Sequence, residues 1–514
     1  MTDSNNKPFD FFIIGGGING AGIARDAAGR GLSVALCDMN DFASGTSSAS
    51  TKLIHGGLRY LEQYKFRLVR EALAEREVLL RLAPHIIWPL SFVLPQTPGM
   101  RPGWMIRAGL WLYDHLGGPT RLPRSRAIDL QTNVEGNALR PDIQRGYLYS
   151  DCWVDDARLV ILNLRAAADS GAIILPRTRC VAARRARSVW QVETVNQLTG
   201  RRQEWTARVL INAAGPWVKQ VIDEVVAIES PGNIQLVKGS HIVVRRLYDG
   251  EHAYLLQNDD GRVVFIIPYE KEFTLIGTTD VELQRMPDRI EISHGETDYL
   301  CTVASRYLNV SVHPDQVLWS YAGIRPLYDD GSANPSELTR DYVLELSDAG
   351  GQAPMLSVFG GKITTYRRLA EHAMEKLRPC FPGLQPAWTS RLSLPGGDLA
   401  APDFLSFVDK LHQSRPGFPV DFLKGLARRH GSYTHAILAG HQSMEGLGRH
   451  FGAGLTAAEV DYLMTHEWAR EADDILWRRT KCGLHMSATQ RAALASYVLL
   501  SIQLMDDSFP KMSF

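Results

Sequence analysis

Residues 47–61 read SSASTKLIHGGLRYL and set His55, Arg59 and Tyr60 around the glycine pair Gly56–Gly57. Histidine exchanges a proton near neutral pH. Arginine keeps its charge, and its planar fork grips a phosphate or carboxylate through two parallel bonds. Tyrosine adds a hydroxyl, and the glycines let backbone pass close to a ligand. Three further stretches carry matching chemistry: Arg325 follows a glycine turn in AGIR, Lys362 follows Gly360–Gly361, and Thr278 sits in IGTTD. His241, in KGSHIVV, is a rival base to His55. Plainer roles fit the same residues: a surface ion pair for either arginine, packing for Tyr60 and a helix-adjacent charge for Lys362.

Such groups need a frame, and the N-terminal stretch DFFIIGGGINGAGIARDAAGRGLSVALCD supplies one. Phe11–Ile14 is a continuous apolar run, as in a strand buried on both faces. Gly15-x-Gly17-x-x-Gly20 follows it and opens a helix, whose small residues run from Ala21 to Ala28. In a dinucleotide fold the first glycine makes the tight turn, the second admits the pyrophosphate and the third lets helix and strand pack. Asp38 ends the second strand, where a carboxylate accepts from ribose hydroxyls and repels a 2′-phosphate. That favours FAD or NAD over NADP. The next elements of the sheet do not follow directly, since RVLINAAGPW (208–217) and PMLSVFGGKITTYRRLAEHAMEKL (354–377) return to it hundreds of residues later. The glycine pair suits a flat ring, and the split arrangement resembles that of flavoproteins.

The segments between these returns are short β-like runs with turn signals, and the pattern after residue 395 is helical. The expected architecture is α/β: a split Rossmann-like FAD-binding domain (1–90, 151–220 and 340–390), an inserted antiparallel-sheet substrate domain (91–150 and 221–339) and a helical C-terminal domain (391–514).

IIGGGINGAGIARDAAGRGLSVALCD, TSSASTKLIHGGLRYLE, EALAERE, YSDCWVDDARLV, NAAGPWVKQ, KGSHIVV, IGTTD, GIRPL and SVFGGKITTYRRLAEHA occur in this order. Together they resemble the FAD-dependent glycerol-3-phosphate dehydrogenases, the aerobic respiratory bacterial kind above all. The resemblance runs from about residue 9 to 390, and HEWAREADDILWRRTK extends it into the C-terminal domain. It implies oxidation of sn-glycerol 3-phosphate to dihydroxyacetone phosphate, with electrons passing from reduced FAD to ubiquinone or menaquinone. It also implies a peripheral position on the cytoplasmic face of the inner membrane. For the site, it implies substrate contacts from Arg59, Tyr60, Thr278, Arg325 and Lys362 and catalysis by His55, Arg325, Lys362 and His241. Cofactor contacts are implied for Gly15, Gly17, Ile18, Asn19, Gly20, Asp38, Thr46, Ser47, Ser48, Lys52, Leu53, His55, Gly57, Ala214, Gly215, Gly361, Lys362, Thr364 and Thr365. The hydroxyl run at 46–48 equally suits a local turn network, and Thr364 and Thr365 equally suit a helix cap.

Composition narrows the classes. Lys+Arg and Asp+Glu both number 56, so no global field favours nucleic acid. The six cysteines are scattered without metal-like spacing, so no metal is expected and a reducing compartment is. Neither a signal peptide nor a long apolar span stands out. RPGWMIRAGLWLYDHLGG (101–118) has the basic flanks and aromatic face of an interfacial helix, and equally the stripe of a core helix. The basic WRRTK (477–481) is expected to pair within the helical domain. Readings that stay open are an oxidase returning electrons to oxygen, an amine or hydroxy-acid flavoenzyme, a flavin-binding protein without turnover, and a homodimer.

Overall fold

The computed structural model describes residues 7–228, 233–329, 341–348, 350–401 and 403–508; the polar N-terminus at 1–6 lies outside them. The first sheet runs in the order Val343–Ser347, Met355–Phe359, Arg202–Asn212, Phe9–Ile14, Val34–Cys37, Ile173–Leu175. Its central pairings are parallel, with Phe11 opposite Val34 and Val209. Phe11, Phe12 and Ile13 are fully buried because both faces are covered. Helices Ile18–Gly29, Asp156–Asp169 and Tyr366–Leu377 cover one face. Small residues let these helices approach closely: a Cβ at Gly22 would lie 2.7 Å from the Tyr366 ring. Trp190, Trp205 and the hairpin Thr178–Ala186/Val189–Asn196 cover the other face. The expected amphipathic helix is present, with Leu369, Ala373 and Leu377 all buried.

A second, ten-stranded sheet forms from the inserted segments. Asn233–Arg245 pairs antiparallel with Phe273–Gly277 and with Trp319–Asp329. The sheet is antiparallel except where Ala253–Gln257 runs parallel to Ile87–Gln96. Ile87–Gln96 runs through the expected border at 90–91, and Arg145–Val154 through that at 150–151. Leu53–Ile54 joins this sheet as well, by pairing with Trp153 and Cys152. Strands Ile87–Gln96 and Arg145–Val154 lie wholly in the second sheet, and the chain changes sheet in the loop before Leu53 and across helix Asp156–Asp169.

The C-terminal part is helical, with helices Phe404–Ser414, Val420–His430, Ala457–His466 and Ala488–Ser508 and one small hairpin at His450–Thr456. All six cysteines are free. No helix among the described residues is long and apolar enough to cross a membrane. Helix Gly103–Leu116 buries only Leu110 and Tyr113, while Trp104 and Trp111 are 70% and 62% exposed. Its aromatic face is therefore not core.

Candidate active site

Three adjoining cavities follow the seam between the two sheets. The first, about 360 Å³, is walled by Gly15, Gly17, Asp38, Thr46, Ala214 and Gly215. The glycines are obligatory here. Gly15 has φ +107°, and a Cβ at Gly20 would lie 1.9 Å from the Gly15 carbonyl oxygen. Asp38 Oδ2 accepts from the Gly16 N–H at 2.8 Å and Oδ1 from the Asn40 N–H at 2.9 Å. Loss of solvent around it raises its pKa to about 6, although those two N–H groups act to lower it. Ser47 Oγ accepts from the N–H of Ile18, the first helical residue, at 3.0 Å.

The second cavity, about 300 Å³, continues past Ile18, Asn19, Ser47, Leu53 and His55 to Gly361, Lys362 and Thr364. Gly360 and Gly361 have φ of +72° and +97°, and the Gly360 carbonyl accepts from Asn19 Nδ2 at 3.0 Å. A Cβ on Gly361 would strike that amide at 2.7 Å, so a side chain here would fill the cradle. Thr364 Oγ1 accepts from the His55 N–H at 3.3 Å, tying the two strips together.

The third and largest, about 570 Å³, shares His55, Tyr60, Thr278 and Arg325 with the second. Arg59 and Gly57, the latter at φ +75°, line it, as do Trp104, Met105 and Ile106 of the exposed helix. The Arg325 guanidinium lies 3.0 Å from Asp280 Oδ1. Lys362 Nζ sits 3.9 Å from the centre of the Tyr60 ring. Among the described residues neither Arg59 nor Lys362 has a carboxylate partner.

The two histidines differ sharply. His241 is buried, stacked on Tyr321 at 4.8 Å, and its Nε2 is 3.0 Å from Thr51 Oγ1. Burial, then Lys52 and Arg325, pulls its pKa down to about 3. His55 is half-buried at the junction of the cavities, edge-on to Phe265. Burial lowers its pKa too, Lys362 and Arg76 adding to the effect and Asp151 opposing it.

Four expected cofactor residues line none of these cavities. Gly20 acts through its closeness to Gly15. Ser48 Oγ turns to the Gly45 carbonyl at 3.4 Å, and Thr365 is buried at the start of the last helix. Lys52 Nζ is buried 2.9 Å from Asp156 and 3.0 Å from the Ser48 carbonyl, so its charge is already neutralised inside the protein. Asp280 and Thr51, in contrast, stand at the junction without having been singled out. Asp280 closes the IGTTD stretch, and an acid one residue beyond a noted hydroxyl pair was its available signal. Phe265 and Gln257 come from strands with no distinguishing pattern.

A glycine-turn nucleotide cavity leading into a ring-sized cleft fits FAD, and comparison with known proteins agrees. The model of FAD dependent oxidoreductases matches residues 10–367. The chain belongs to the FAD dependent oxidoreductase family. The C-terminal domain of alpha-glycerophosphate oxidase matches residues 387–504. The chain is 52% identical to a D-erythritol 1-phosphate dehydrogenase of Brucella abortus, over 95% of this chain and 97% of that protein. It is 50% identical to the aerobic glycerol-3-phosphate dehydrogenase of Escherichia coli, again over 95% and 97%. The glycerol-3-phosphate dehydrogenase of Bacillus halodurans, solved with FAD, superimposes with a TM-score of 0.76 at 27% identity, covering 98% of this chain and 92% of that one. As in this oxidoreductase family, the cofactor is FAD. The glycine turn and Asp38 suit its nucleotide half, and the cleft between Leu53, Gly361 and Thr364 suits its ring.

Proposed function

We propose that this flavoenzyme oxidises sn-glycerol 3-phosphate to dihydroxyacetone phosphate and hands the electrons to a membrane quinone. The observation that carries this reading is that three cations line the two adjoining cavities near Gly360–Gly361: Arg59 the larger, Lys362 the smaller and Arg325 both. A phosphate dianion needs more than one cation to leave water, and two of these three are not engaged by a carboxylate among the described residues. A substrate bearing only one carboxylate would leave part of that charge unanswered.

Oxidising a secondary alcohol removes a proton from oxygen and a hydride from the same carbon. Bound FAD supplies the hydride acceptor. His55 is the base: it borders both cavities, and its lowered pKa keeps the ring neutral and able to accept the hydroxyl proton at neutral pH. His241 is the poorer base, since a pKa of about 3 leaves little drive to take a proton. Lys362 stabilises negative charge growing on the substrate oxygen, with Tyr60 holding the ammonium in place. Arg59 and Arg325 hold the phosphate, and Thr278 and Tyr60 supply hydroxyls to the polyol.

The wall of the large cavity carrying Trp104, Met105 and Ile106 offers an apolar acceptor route to the exposed face of the same helix. Arg101 and Arg107 flank that face, which suits peripheral contact with a bilayer. A four-carbon substrate is the second reading. The Brucella relative supports it at 52% identity, and the 570 Å³ cavity leaves room for one more hydroxymethyl group. Turnover with a soluble quinone analogue, measured in parallel on sn-glycerol 3-phosphate and D-erythritol 1-phosphate, tests both. A higher kcat/KM on the three-carbon substrate is expected. A higher value on the four-carbon one establishes the second reading, and faster turnover with oxygen than with quinone makes the protein an oxidase.

A further inference from the structure

The basic stretch 477–481 pairs within the helical domain as expected, Arg478 with Asp474 and Arg479 with the Glu467 carbonyl, but it also reaches across to the loop that walls the FAD cavity. Arg479, fully buried, grips Asp41 with two bonds of 2.6 and 2.8 Å. Arg478 bonds both Asp41 and Asp474. Asp474, also fully buried, accepts from Arg177 Nη2 at 2.8 and 2.9 Å. Arg177 in turn donates its own N–H to the Asn40 carbonyl at 2.9 Å, and Thr178 donates to the Asp38 carbonyl at 2.6 Å. Trp468 packs edge-on against Phe42 at 5.5 Å, and a Cβ on Gly16 would meet that Phe42 ring at 2.4 Å.

The far end of the loop is held by the helix that begins at Asp156, which the C-terminal domain contacts in turn. Lys481 Nζ lies 3.3 Å from Asp155 Oδ1, and the adjoining Asp156 pairs with Lys52, whose Nζ also bonds the Ser48 carbonyl. Arg158, one turn on, is paired with Glu467. Charges from the C-terminal domain thus grip residues 38–52 directly at Asp41, and reach the Lys52 end only through Asp155, the neighbour of Asp156. Within this stretch Asp38, Thr46 and Ser47 face the cofactor cavity.

We propose that Arg479, Arg478 and Asp474 are positioning residues for FAD: the C-terminal domain acts as a clamp that holds the 38–52 loop in its cofactor-binding shape. None of them touches the cavities. They act through Asp41 and Arg177, and a buried carboxylate that loses its partner must move or take up a proton. Loop shape, and with it FAD affinity, then depends on a domain that contributes no atom to the cofactor site.

The test uses the full chain, stripped of FAD and titrated with FAD while its fluorescence quenching is followed. Arg479→Met is expected to raise the Kd for FAD at least tenfold, Arg478→Gln to raise it severalfold and Arg479→Lys to restore part of the loss. Arg429→Met breaks an ion pair with Glu459 inside the C-terminal domain, away from the loop, and serves as the control. It is expected to leave the Kd for FAD within twofold of the parent. If Arg478→Gln, the milder change at a half-buried site, leaves the Kd unchanged, the clamp is overturned. If Arg429→Met weakens FAD as much as Arg479→Met does, the effect belongs to domain stability and the clamp is overturned equally. At saturating FAD the KM for sn-glycerol 3-phosphate should not move in Arg478→Gln; a raised KM would place the effect at the substrate instead.

Discussion

The two ends of the cleft are built from different materials. At the nucleotide end, backbone does the work: Gly15, Gly17 and Gly20 clear space, and a helix N-terminus offers its N–H groups. At the substrate end, charged side chains from distant parts of the chain line adjoining cavities: Arg59 the large one, Lys362 its neighbour and Arg325 both. Backbone sites fail by steric exclusion, all at once. Side-chain sites fail group by group, in proportion to the charge removed. That difference orders the effects expected from mutation.

The largest effect belongs to the nucleotide end. Gly20→Ala places a Cβ 1.9 Å from a carbonyl oxygen that cannot yield without opening the turn. The purified variant is expected to be colourless, with no flavin absorbance; retention of normal flavin content would show that the turn is looser than described. At the substrate end, His55→Gln should retain FAD and lose kcat by roughly 10²–10⁴, the range for a general base. His241→Gln should lose far less. An equal loss at both histidines would break the distinction drawn between them. Arg325→Ala comes next, with kcat/KM falling by roughly 10–100-fold, the equivalent of a charge-assisted hydrogen bond of about 1.5–3 kcal/mol. Steady-state kinetics on protein with full flavin content checks it.

Two effects of pH are smaller and have opposite origins. His55 must be neutral to act, so activity rises with pH through a pKa that burial has pushed below the ordinary 6.5. The acid limb of the kcat/KM profile should lie below that value and persist in His241→Gln, because a group at about 3 is already neutral across the assay range. At the nucleotide end, burial raises the pKa of Asp38 to about 6. Ribose hydroxyls favour its ionised form, so FAD affinity should weaken as pH falls through 6 and should lose that dependence in Asp38→Asn. Titrations of apoprotein between pH 5 and 8 measure it.

The same contrast governs how much was legible in the sequence. A backbone site is local, so strand, glycine turn, helix and acid lie within thirty residues of one another, and Gly15 and Asp38 stand where the pattern put them, while the helix begins at Ile18, ahead of the small residues that marked it. Arg325 and Lys362 were legible because each follows a glycine turn. Lys52 is held away from the cavities for a physical reason. Next to a hydroxyl run it looks available, but its partner Asp156 lies 104 residues away in sequence. His241 likewise carried no sequence sign of the Tyr321 ring stacked against it, which arrives on a paired strand. The hold of Arg478 and Arg479 on Asp41 spans more than four hundred residues. Pairings of that separation leave no periodic trace, and they are where sequence reasoning ran out.

Anaerobic stopped-flow mixing of the FAD-loaded protein with sn-glycerol 3-phosphate tests the central claim most directly, with the oxidised-flavin absorbance as readout. Rapid bleaching, slowed in Arg325→Ala and restored to the oxidised spectrum faster by a quinone analogue than by air, is expected. Flavin that stays oxidised in the presence of saturating substrate would contradict the assignment of this cleft to phosphorylated polyols.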